Sequence, residues 1–192
     1  MITLYGSTTS PYVRRFRLLL NKAPYQFEKI NLADLNDREK LKTLSPLLKI
    51  PLITDEGTKI WDSRQIFRYL QEKGMHQNTN WDQENLLTAI DGISDSLIQL
   101  YLVERRGTTM DRKNTYGKAN LDRIDLSSEF LDQAVSQNKF NQWNYLSISL
   151  YCLIDWANFR ERYDFKKYQN LWSWYLENAH NDGIKETDPR NS

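Results

Sequence analysis

Thr9-Ser10-Pro11-Tyr12-Val13-Arg14 sets a hydroxyl directly before a proline, with apolar residues then recurring at helical spacing: Tyr12, Val13, Phe16, Leu19 and Leu20. Serine followed by proline is a helix start, with Ser10 as the cap and Pro11 at the first helical position. A helix start presents unpaired N–H groups and a partial positive charge, which favour an anion. A hydroxyl at that place can donate to a thiolate and lower a thiol pKa from about 8.5. Serine is also simply a favoured cap, so the pattern supports a structural role as well. Thr8 and Thr9 are neighbouring hydroxyls, and Thr9 competes with Ser10 for the chemical role. A second helix start follows Trp61-Asp62, where Ser63 is the expected cap and Ile66, Phe67 and Leu70 share one face.

The elements around these residues read as β-α-β-α-β-β-α. Ile2 and Leu4 run into Gly6 as a short strand, and Pro24 closes the first helix. Tyr25, Phe27 and Ile30 alternate as a second strand, and Asp34 to Leu44 reads as a weak surface helix. Ile50-Pro51-Leu52-Ile53-Thr54, the turn at Asp55-Glu56-Gly57 and Lys59-Ile60-Trp61 form a strand–turn–strand hairpin. Residues 1–75 are thus expected as an α/β domain, 76–80 as a linker, and 81–192 as an all-helical domain with its polar tail from Asp182 loosely held. In the second part Leu86, Leu87, Ile90, Ile93, Leu97, Leu100 and Tyr101 keep one helical face, as do Leu121, Ile124, Ser128, Leu131 and Val135. Leu146 to Trp156 is apolar almost all round, which predicts a central helix.

Composition removes several classes. With 26 basic against 25 acidic residues the net charge is +1, unlike a general nucleic-acid binder. One cysteine, Cys152, allows no intrachain disulfide framework or cysteine-based zinc site, and it reads as an inert core residue. His76 and His180 read as surface residues, so no metal site is expected. No apolar run reaches the ~18 residues of a membrane span. A soluble cytoplasmic protein is the default expectation.

A strand, then S-P-Y at a helix start, then an X-Pro before a hairpin, resembles the thioredoxin fold. Where redox members carry Cys-Pro-Tyr-Cys, this chain has Ser10-Pro11-Tyr12-Val13, which removes disulfide exchange. The whole chain resembles the cytosolic glutathione transferases of the serine-dependent kind, with a thioredoxin-like N-terminal domain and a helical-bundle C-terminal domain. Three stretches carry the likeness. Ser10 to Arg14 matches the S-P-F/Y motif, Ser45-Pro46-Leu47-Leu48-Lys49-Ile50-Pro51 is similar to N-P-x-G-K-V-P, and Trp61-Asp62-Ser63-Arg64-Gln65-Ile66 resembles E/D-S-x-x-I.

The resemblance implies glutathione as co-substrate, no metal, and a homodimer. It implies Ser10 as the catalytic hydroxyl and a cis bond before Pro51, which turns the Ile50 main chain toward the cysteinyl part. Lys49 would reach the glycyl carboxylate, and Ser63 with Asp62 would hold the γ-glutamyl end. Tyr101 and Arg105 are implied as second-substrate residues by family analogy. Two departures stand out: Leu48 replaces the family glycine, and Ser147-Ile148-Ser149-Leu150 lacks the aspartate of S-x-A-D, so another group such as Asn144 or Ser149 must cap that buried helix. Arg14, Arg15 and Arg17 are expected to face solvent or an interface. The expected activity is attack of the glutathione thiolate on an electrophile. The rival expectations are a non-catalytic relative of the stringent-starvation type, which binds RNA polymerase, and a glutathione-dependent isomerase or dehalogenase.

Overall fold

The structure is a computed structural model and describes residues 1–191. The chain divides into two compact units, one formed by Met1–Asn78 together with the chain from His180 onward, the other by Thr79–Ala179.

The first unit is built on a four-stranded sheet of order β2-β1-β3-β4. Strand β1 (Ile2–Gly6) alternates buried and half-buried residues and pairs in parallel with β2 (Tyr25–Lys29). Parallel neighbours need a crossover, and helix α1 (Pro11–Leu19) supplies it. Gly6 is where helix and strand meet most closely: a Cβ there would lie 2.3 Å from Val13 Cγ2. Helix α2 (Leu35–Leu44) is capped by Asp34, which accepts from Asn36 N and Asp37 N. Strands β3 (Leu52–Asp55) and β4 (Thr58–Trp61) are antiparallel to their neighbours. The turn joining them has positive φ at both Glu56 and Gly57, the backbone twist that suits a two-residue hairpin. Helix α3 (Ser63–Glu72) follows.

The chain's last residues correct the expectation of a loose tail. Ile184, Thr187 and Pro189 are buried in the first unit. Arg14 Nε donates to Thr187 Oγ1 and Arg14 Nη2 to the Ile184 carbonyl, while Arg17 Nη2 reaches the Glu186 carbonyl. Gly183, at φ +83°, packs its backbone against Leu18 and Asn21. For Arg14 and Arg15 burial within this unit overturns the reading as facing solvent or an interface, whereas Arg17 is half-buried. Arg14 is 3% and Arg15 0% exposed, the latter with its guanidinium 4.5 Å over the Tyr12 ring. Their stems lie on the packed face of α1 and their heads find main-chain and aromatic partners, as buried guanidinium groups must.

The second unit is helical: α4 (Trp81–Glu104), α5 (Thr115–Ser136), α6 (Tyr145–Phe159) and α7 (Gln169–Glu177). Asn80 and Gln83 close a reciprocal capping box at the start of α4. By length and composition α4 could cross a membrane, yet Leu86, Leu87, Ile90, Ile93, Leu97 and Leu100 are buried as it packs on α5 and α6. Helix α5 starts six residues before the apolar pattern shows it, because Asn114 caps it and Gly117 and Asn120 are buried in its polar first turns. Helix α6 is buried from Tyr145 to Ala157. Asn144 replaces the missing aspartate by accepting from Leu146 N and Ser147 N, and Ser147 Oγ donates to the Phe140 carbonyl. Cys152 is buried.

Candidate functional site

Strand directions gather residues that are far apart in sequence. Because β3 is antiparallel to both β1 and β4, the end of β1, the start of β3 and the end of β4 fall on one edge of the sheet. The register makes this concrete: Tyr5 pairs with Leu52, and Leu52 with Trp61. One step further along that edge stand Gly6, Pro51 and Asp62. Helices α1 and α3 therefore both begin there, each turning its N-terminal N–H groups and partial positive charge to the same end of the sheet.

Ser10 is the N-cap of α1, as expected. Its Oγ accepts from Val13 N at 3.3 Å. That bond uses a lone pair and leaves the hydroxyl proton available to a further acceptor. Thr9 is placed differently: its hydroxyl lies 3.1 Å from Ser7 Oγ, and its N–H donates to the same atom. Thr9 is thus engaged within the loop, whereas Ser10 stands at the helix mouth.

The segment before β3 is held from below. Ser45 is buried and its Oγ accepts from Leu47 N. Trp61 Nε1 donates to the Leu44 carbonyl, tying the end of β4 to the end of α2. Sequence reasoning gave Trp61 no such anchoring task, although its position between a strand and Asp62-Ser63 was visible. The Ile50–Pro51 bond is cis, and Leu48 adopts φ 51°. Glycine adopts this left-handed conformation without cost, and leucine does not. Lys49 is exposed, Ile50 half-buried and Pro51 buried.

At α3 the cap is Asp62 and not Ser63. Asp62, at φ 73°, accepts from Arg64 N at 2.8 Å through Oδ1. Ser63 is the first helical residue and 6% exposed. The shift by one position follows from geometry: the left-handed turn at Asp62 points its short carboxylate back over the first helical N–H groups.

Tyr101 and Arg105 belong to the second unit, at the C-terminal end of α4, where the Arg105 guanidinium lies 5.7 Å from the Tyr101 ring centre. His76, read as surface, is half-buried against Phe67, at 6.3 Å between ring centres, and desolvation holds its pKa below the ordinary 6.5.

Residues 4–75 match the family model described as glutathione S-transferase, N-terminal domain. The N-terminal part of the chain is thus similar to the N-terminal domain of glutathione S-transferases. Among curated relatives, an uncharacterized GST-like protein, YibF, of Escherichia coli K12 is 39% identical over 69 residues, 35% of this chain and 34% of its own length. Glutathione S-transferase hmp2 of Hypomyces subiculosus is 37% identical over 75 residues, 38% of this chain and 35% of its own. These matches span about a third of each relative. The fold likeness reaches further. A glutathione S-transferase of Methylobacillus flagellatus KT, crystallised with glutathione bound, has a TM-score of 0.80 at 21% identity, covering 98% of this chain and 100% of that one. The thioredoxin-like sheet followed by a helical region is thus the glutathione S-transferase fold.

Proposed function

We propose that this protein binds glutathione at the sheet edge where α1 and α3 begin and activates its thiol for attack on an electrophilic small molecule. The observation that carries the reading is the convergence of two capped helix N-termini, at Ser10 and at Asp62-Ser63, on the edge where Ile50-Pro51 enters β3.

Each residue then has a physical task. Ser10 Oγ–H donates to the glutathione sulfur, and the α1 N-terminus adds positive potential, so the thiolate is favoured over the thiol. The Ile50 main chain lies just outside the ladder that starts at Leu52, placed to pair with the cysteinyl peptide unit like a short added strand. Ser63 and the first N–H groups of α3 receive the γ-glutamyl carboxylate, and Asp62 faces its ammonium group. Lys49, exposed beside Pro51, meets the glycyl carboxylate as a point charge. In the reaction the thiolate pair forms a carbon–sulfur bond, and the leaving group departs with the pair that bound it. Tyr101 and Arg105 serve the electrophile. No metal takes part in the proposed reaction. We place the protein in the cytosol as a homodimer.

One observation favours a second reading, a glutathione-fold binding protein without turnover: the glycine of the family pattern is Leu48, held at positive φ in the segment that carries Lys49 and Ile50. The two are separated by retention on immobilised glutathione and conjugation of an aryl halide. Retention with turnover that Ser10→Ala lowers at least about tenfold supports thiol activation. Retention without turnover selects the binding protein, and loss of retention at millimolar glutathione removes the site.

A further inference from the structure

Three guanidinium groups surround one phenol in the second unit. Arg160 and Arg162 each place the central guanidinium carbon 5.4 Å from the Tyr101 ring centre, and Arg105 does so at 5.7 Å. Arg160 also lies 4.3 Å over the Phe159 ring, and Trp156 meets Tyr101 edge-on at 5.7 Å.

The charges are unevenly compensated. Arg162 pairs with Glu104, Nη1 to Oε2 at 2.6 Å, and its Nε donates to the Arg160 carbonyl. Among the described residues neither Arg105 nor Arg160 forms an ion pair, and the exposed Glu161 pairs with neither Arg160 nor Arg162. The Nε of Arg160 is buried without a hydrogen-bond acceptor. Helices α4 and α6 both end here, with Arg105 and Arg160 as their C-caps. A cation at a helix C-terminus answers the dipole. That accounts for one cation per helix, but not for a third guanidinium on the same ring, nor for a buried donor pointing at nothing. Glu104 answers Arg162 alone, which leaves Arg105 and Arg160 without an ion-pair partner among the described residues.

We propose that Tyr101, Arg105, Arg160 and Arg162 form a receptor for the carboxylate of an aromatic acid. A guanidinium fork matches the two oxygens of a carboxylate, and a charge-assisted pair is about twice as strong as a neutral hydrogen bond. The half-buried rings of Tyr101 and Phe159 offer the aryl body a surface. As an anion site this stands on the second unit alone. As the place that selects the electrophile, it rests on the glutathione reading above and assigns acidic aryl electrophiles as the substrate class.

The test is calorimetric titration of the full chain with 3-nitrobenzoate, 3-nitrobenzamide and inorganic phosphate, all without glutathione, so that its outcome is separate from thiol activation. The acid should bind at least about tenfold more tightly than the amide or phosphate, and more weakly as sodium chloride rises. Arg160→Gln and Arg105→Gln should each cost about tenfold, and Arg160→Lys should recover only part of the loss because lysine lacks the fork. Equal binding of acid and amide, or unchanged affinity in both glutamine variants, overturns the proposal. Phosphate binding as tightly as the acid overturns its aromatic part. Should Arg160→Gln fail to fold, the exposed Arg105 and the acid–amide comparison on the unaltered protein decide. With glutathione present, the matching readout is a lower KM for 4-chloro-3-nitrobenzoate than for its amide at similar kcat.

Discussion

Arg14 and Thr187, 173 positions apart, are joined by a 3.1 Å hydrogen bond from Nε to Oγ1 inside the first unit. Arg14 sits one turn beyond Ser10, and its backbone N–H donates to the Ser10 carbonyl. The chain's end is thus fastened to the helix whose start carries the candidate hydroxyl. Arg14→Ala removes this bond and the one to the Ile184 carbonyl, which is left with only a long 3.4 Å bond from Thr187 Oγ1. We expect a loss of about 3 kcal/mol in denaturant unfolding. Thr187→Val keeps the Ile184 bond and should cost about 1 kcal/mol. Equal stability of Arg14→Ala and the parent would remove the clasp.

Gly6→Ala tests the close approach of α1 to β1. The added methyl meets Val13 at a distance no real contact tolerates. The overpacking should cost about 1–3 kcal/mol. Val13→Ala, which is destabilising by itself, should then be partly rescued by Gly6→Ala, giving a non-additive double-mutant cycle. Additive losses would show that the two residues do not meet.

Leu48 carries the left-handed conformation that costs a non-glycine residue about 1–2 kcal/mol. Leu48→Gly relieves that cost but adds about 0.5–1 kcal/mol of backbone freedom to lose. The net expectation is a gain of up to about 1 kcal/mol. Leu48→Ile should move the other way, since a branched Cβ is the worst fit to positive φ. Thermal melts of the pair decide the sign.

His76 gives a pH signature. Burial disfavours its charged form, so its folded pKa lies below the unfolded 6.5. Above pH 6.5 both states are neutral there and nothing changes. As pH falls below 6.5 the unfolded chain binds the proton first, and stability drops until the lower folded pKa is passed. The melting temperature should therefore fall between pH 7 and pH 5.5, and His76→Gln should flatten that slope. A slope unchanged in the variant would assign it to other groups.

Local chemistry was legible in the sequence wherever one or two neighbouring residues decide it. Ser10-Pro11 marked a helix start, Asn144 was named as an alternative cap for α6, and the period of two in Ile2 and Leu4 marked a strand. The hairpin was signalled by Gly57. At Asp62-Ser63 the start was found but the cap misplaced by one, because both residue types cap well and only the positive φ at Asp62 distinguishes them. Arg14 and Arg15 were misread for a different reason. A charged side chain is judged exposed unless its partner is known, and Arg14's partners, Ile184 and Thr187, lie at the far end of the chain.

By itself, then, the sequence determined which elements form and the apolar part of the faces they bury, since turn chemistry and hydrophobic period are short-range properties; the polar first turns of α5 and the buried arginines of α1 lay outside that reach. Tertiary structure alone decided that Gly6, Pro51 and Asp62 share a sheet edge, because strand direction and register depend on pairing across the chain. It also decided that Arg105, Arg160 and Arg162 crowd one tyrosine, because helix packing, which no local pattern encodes, brings the ends of α4 and α6 together.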